Sequence, residues 1–112
     1  MFIAMNRFKV LKDAVAEFEA VWRNRDSQLN EMRGFVGFHL LRGPELEDHI
    51  LYASHTTWAS KADFDAWTTS DQFRKAHSRA PSTKPLYAGH PQFEGFSVVQ
   101  TLEAVLQADT VV

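Results

Sequence analysis

Apolar residues recur along this chain with a period of two, then with a helical period, then with a period of two again. Residues 2–10 alternate, with Phe2, Ala4, Asn6, Phe8 and Val10 on one face and Ile3, Met5, Arg7 and Lys9 on the other, which predicts a strand. Residues 11–29 place Leu11, Ala14, Val15, Phe18, Val21, Trp22 and Leu29 on one stripe, which predicts a long helix. Alternation returns in GFVGFHLLRG at 34–43 and HILYASHTTW at 49–58, joined by the turn GPELED as a hairpin with a loop of about five residues. The stretch 58–81 reads as two short helices broken at Thr68, Thr69 and Ser70. Ser60 is placed to cap the first, with Asp63 three residues on, and Ser70 to cap the second. Residues 78–92 hold three of the four prolines and no periodicity, which predicts a long loop. Residues 93–106 read as the last strand, and the tail at about 107–112 as frayed. The order β-α-β-β-α-β, with the second helical region split, is that of an α+β ferredoxin-like split βαβ domain spanning residues 1–112. It has an antiparallel sheet with helices on one face.

The first hairpin strand carries apolar groups on both faces: Phe35 and Leu41 on one, Val36, Phe38 and Leu40 on the other. Helices cover only one face of such a sheet, so a second copy of the chain is the simplest cover for the other. Twelve basic against fourteen acidic residues, a net charge of −2, give no electrostatic case for nucleic acid or an anionic membrane. The absence of cysteine excludes disulfides, thiolate ligation and cysteine nucleophiles. No apolar run is long enough to span a bilayer, and MFIAMNRFKV lacks the regions of a signal peptide, so the reading is a soluble, cytoplasmic protein.

Asn6 interrupts an otherwise apolar face. Its amide either bonds neighbouring backbone or points its NH2 into a cavity. Phe73 and His77, four apart, share a helix face, and Pro81 puts His77 near that helix's end. With Trp67 one short helix upstream, they have the makings of a pocket for a flat aromatic ligand. The alternative is a histidine settled against the last carbonyls and the helix dipole. Arg25 continues the apolar stripe after Phe18 and Trp22 and either snorkels or offers its fork to a carboxylate. His39, His49, His55 and His90 read as strand, rim or loop residues without a metal-ligand spacing.

Asn6 in MNR, Trp67 closing DFDAW and His77 closing SDQFRKAH, with the pattern W-x-x-S-x-x-F-x-x-A-H complete as Trp67, Ser70, Phe73, Ala76 and His77, resemble the haem-degrading monooxygenases of the IsdG type. These lie within the antibiotic-biosynthesis-monooxygenase superfamily. The resemblance spans roughly residues 1–80 and is weakest over 78–92 and the tail. It implies haem as both substrate and cofactor, with His77 as proximal iron ligand, Asn6 as distal hydrogen-bond donor and Trp67 pressing on the porphyrin. Trp22 and Phe73 would be pocket walls, and Arg25 would lie near the propionates. It further implies a homodimer whose sheets close face to face into an α/β barrel. O2 and electrons from an external donor would open the ring to a bilin-type product and release iron. The chain has no G-x-G-x-x-G of its own to bind a flavin or nicotinamide. Two other readings share the cleft: a non-enzymatic haem-binding or buffering protein, and a cofactor-independent oxygenase of the same superfamily.

Overall fold

In the computed structural model, which describes residues 1–25, 28–77 and 85–105, alternation and capping produce the expected order of elements. Strand β1 (Phe2–Val10) leads through a 3-10 turn into helix α1 (Val15–Arg23), and strands β2 (Phe35–Glu45) and β3 (Ile50–Trp58) form the hairpin. Helices α2 (Lys61–Thr68) and α3 (Asp71–His77) follow, then strand β4 (Tyr87–Ser97). The sheet order is β2-β3-β1-β4, with every adjacent pair antiparallel, which is the ferredoxin-like arrangement.

Phe2, Ala4, Phe8 and Val10 are buried on the helix side of β1. They belong to two separate clusters. Phe8 and Val10 pack with Ala14, Phe18, Ile50, Tyr52 and Leu86. Phe2 and Ala4 pack with Trp58 and Trp67. The break between α2 and α3 is made by side chains. Ser60 Oγ accepts the Asp63 N–H at 3.1 Å and Ser70 Oγ accepts the Phe73 N–H at 3.0 Å, both as expected of N-caps. Ser70 also donates to the Trp67 carbonyl at 2.7 Å, so one hydroxyl ends α2 and starts α3.

Three expectations need correction. The helix predicted over 11–29 is shorter. Leu11 is extended, its N–H spent on the Leu86 carbonyl, and α1 ends at Arg23. The chain from Arg23 to Gln28 offers no apolar side chain to anchor further turns, and Gln28 adopts a left-handed conformation (φ 54°) that stops a helix. Leu29 lies in a separate 3-10 turn, Leu29–Glu31, against the second cluster.

The faces of β2 are also not those of simple alternation. Phe35 pairs with Trp58, but Gly37 pairs with Thr57, so Val36 is an extra residue. This bulge puts Phe35 on the same face as Phe38 and Leu40, leaving Val36 and Leu41 exposed.

The last strand, predicted over 93–106, runs instead from Tyr87 to Ser97. Pro91 sits within it because β4 is an edge strand and because its pairing with β1 shifts register between Arg7 and Lys9, opposite this segment. Just past the end of the strand the Val98 N–H reaches the Met1 carbonyl at 2.9 Å. Of the expected loop, residues 78–84 lie outside the described residues, as does the tail at 107–112.

Candidate active site

The two clusters leave a gap on the helix side of the sheet, and the sequence explains why. At the middle of the sheet the inward positions carry Asn6 on β1 and Ser54 and Thr56 on β3, between the large Phe2 and Trp58 at one end and Phe8 and Tyr52 at the other. Short side chains there give a polar floor. The walls are aromatic: Trp22 from α1, Phe38 from β2, Phe64 and Trp67 from α2, Phe73 from α3 and Phe93 from β4. The cleft measures about 390 Å³, within the range of small-molecule sites. A second hollow of about 300 Å³ adjoins it and shares Asn6, Trp22, Arg25 and Phe73.

Ring geometry holds the walls. Trp22 stacks on Phe38 at 5.8 Å and 16°. Phe64 stacks on Phe93 at 5.6 Å and 9°. Trp67 meets Phe73 edge-on at 5.4 Å and lies over Trp58 at 6.2 Å. Arg25, itself a lining residue, holds its guanidinium over Trp22, 4.1 Å from the ring centroid, in a cation–π contact. Among the described residues the cleft is lined by Arg25 and by no carboxylate, so their field favours an anionic ligand.

Five of the six site residues inferred from sequence, Asn6, Trp22, Arg25, Trp67 and Phe73, line this one cleft. The sixth, His77, is the last residue of α3, the helix that supplies Phe73, and its side chain lies outside what is described. His39 and His55 do meet across the hairpin, ring centroids 6.1 Å apart, on the opposite face of the sheet. Among the described residues they join no third histidine, cysteine or carboxylate that would make a metal cluster. Sequence reasoning missed Ser54, Thr56, Phe64 and Phe93. The first two carried a signal. They interrupt the inward face of 50–58 as Asn6 interrupts that of 2–10, and pairing the strands would have aligned the interruptions.

Residues 1–79 match the family model described as antibiotic biosynthesis monooxygenase. The chain belongs to this family. Within and around it, the chain is 31% identical over 81 residues to a haem-degrading monooxygenase of Shouchella clausii, covering 72% of this chain and 75% of that protein. It is 34% identical over 86 residues to a staphylobilin-producing haem oxygenase of Staphylococcus haemolyticus, covering 74% and 79%. Among solved structures it resembles the haem degrader MhuD of Mycobacterium tuberculosis with two haems bound in its active site. That match has a TM-score of 0.72 and 27% identity, over 92% of this chain and all of the other (100%). An antibiotic biosynthesis monooxygenase domain therefore accounts for the fold.

Proposed function

We propose that this chain is a haem-degrading monooxygenase, acting as a single domain over residues 1–112. The observation that carries the reading is the convergence of Asn6, Trp22, Arg25, Trp67 and Phe73 on one aromatic-walled cleft beside the helix that ends in His77. Haem is the substrate and brings the iron that supplies the O2 chemistry. Flat walls at Trp22, Phe38 and Phe73 suit a macrocycle, and burial of its faces against them excludes water. His77 would supply a neutral ring nitrogen to hold the haem iron. Asn6, on the sheet floor, donates from its NH2 without acting as an acid. Trp67 lines the cleft with its indole over that of Trp58, and from there it would press on the ring. Distortion of the macrocycle is a lever a protein has over haem chemistry. Arg25 receives a propionate carboxylate.

No helix among the described residues is long and apolar enough to cross a membrane. We assign the enzyme to the cytoplasm, where a separate reductase or a small reductant supplies electrons. It works as a homodimer, and support for this lies on the sheet face without helices. There Phe96 is exposed opposite the half-buried Ile3, and Leu41 is exposed on β2, apolar groups suited to a second copy closing an α/β barrel. The products are a bilin-type tetrapyrrole and free iron.

Titration of the purified protein with haemin, followed by ascorbate in air, tests the reading. The expected result is a Soret band that saturates at stoichiometric haem, is lost in His77→Ala, and decays to a bilin-like absorbance. A band that survives ascorbate makes the protein a haem carrier. No band at all removes haem and leaves a cofactor-independent oxygenase.

A further inference from the structure

Ser54 is the one polar side chain among the described residues that is both buried, 7% exposed, and on the floor of the cleft. It lies directly opposite Asn6 in the pairing of β1 with β3, and both side chains face the cleft. Directly opposed residues hold their Cβ atoms about 4.5–5.5 Å apart, so a serine hydroxyl and an asparagine carboxamide meet by rotation about their own side-chain bonds. The neighbouring Thr56 hydroxyl is already turned to the Ala4 carbonyl at 3.4 Å. The Ser54 hydroxyl has no such partner among the described residues. A flat ligand filling the cleft displaces water from this floor, and a desolvated hydroxyl must then find an acceptor.

We propose that Ser54 is a positioning residue for Asn6: its O–H donates to Asn6 Oδ1 and so turns the carboxamide with its NH2 toward the ligand. An amide is nearly symmetric in shape, and only its hydrogen-bond partners decide which end points where. With the oxygen held by Ser54, the donor end faces the reacting centre. Without Ser54, either end can, and an oxygen facing the centre repels an electron-rich ligand. This inference rests on the haem-degrading reading above and adds a residue to it.

The experiment follows haemin decay under ascorbate in air for the intact chain and for Ser54→Ala, Ser54→Thr, Asn6→Ala and the Ser54→Ala/Asn6→Ala pair. Ser54→Ala is expected to slow turnover about tenfold, less than loss of a direct donor, with haem affinity within about twofold of wild type. Ser54→Thr, which keeps the hydroxyl, is expected to recover most of the rate. On the Asn6→Ala background Ser54→Ala is expected to add no further loss, since there is then no amide to orient. A Ser54→Ala rate equal to wild type overturns the assignment. So does a loss that multiplies with that of Asn6→Ala, or a Ser54→Thr protein that melts like wild type yet turns over no faster than Ser54→Ala. Failure of the wild-type chain to bind haemin at all removes the haem reading and this inference with it. Normal wild-type turnover with an unaffected Ser54→Ala removes this inference alone.

Discussion

Trp58 and Trp67 lie against each other in the same cluster, yet their replacement by phenylalanine has different consequences. Trp58 is fully buried (0% exposed) and Trp67 nearly so (6%), with ring centroids 6.2 Å apart. Only Trp67 also lines the cleft. Shrinking a buried indole to a phenyl removes roughly two to three methylene-sized groups at about 0.8 kcal/mol each, so Trp67→Phe costs about 2 kcal/mol. For a domain of this size that lowers the melting temperature by about 8 °C. Trp58→Phe loses the same area but also deletes an indole N–H that is buried with no acceptor among the described residues. Such a group costs about 1–3 kcal/mol to bury, so its removal offsets most of the loss, and the melting temperature falls by less than about 4 °C. Differential scanning calorimetry on both variants checks the stability order. Haemin turnover, measured at a temperature where both are folded, checks the second half: Trp67→Phe changes the rate and the haem spectrum, and Trp58→Phe leaves both as in wild type. The reasoning is refuted if Trp58→Phe melts below Trp67→Phe, or if both slow turnover equally.

Two further outcomes are expected. The Tyr52 hydroxyl donates to Glu19, and burial first, then that bond and the charge of Glu19, push its pKa up from 10.0 to about 12. The folded state therefore holds this proton longer than the unfolded one. The stabilisation is complete below about pH 10 and is lost as pH rises toward 12, a decline of about 2–3 kcal/mol that urea unfolding of wild type should show and Tyr52→Phe should lack. Gly34, at φ 82°, sits where a Cβ would come within 2.1 Å of Asp63 Oδ2. That carboxylate is held by the Ser60 hydroxyl at 3.0 Å. Gly34→Ala therefore strains the backbone and displaces the α2 cap, and a chemical denaturation curve should show a loss of about 2–4 kcal/mol with little change in slope.

The parts of this molecule that were legible in its sequence are those decided by neighbours along the chain. Alternation in 2–10 and 49–58 gave the two central strands nearly to the residue, because side-chain direction in a strand follows from the backbone alone. Ser60 and Ser70 marked their helices because a cap acts over three residues. Asn6, Trp67, Phe73 and Arg25 could be singled out by type and spacing.

What tertiary structure decided depends on which residues meet across the sheet. The bulge at Val36 reverses the faces of β2, and no local pattern marks it, since Val36 is as apolar as its neighbours. Strand β4 lies earlier than its apolar pattern predicts because its place is set by pairing with β1, from Val10 opposite Tyr87 to Phe2 opposite Ser97. The helix after β1 was overextended because its stripe can be counted through Arg25 to Leu29, whereas the folded chain has nothing apolar in between to hold a helix down. The cleft itself is a long-range product. Asn6 alone is an oddity on a strand, but set opposite Ser54 on one side and Phe93 on the other it becomes the floor of a site. Periodicity is a property of successive residues, and register is a property of pairs far apart. The composition of each strand was therefore written in the sequence, and the cavity between them arose only when the strands were paired.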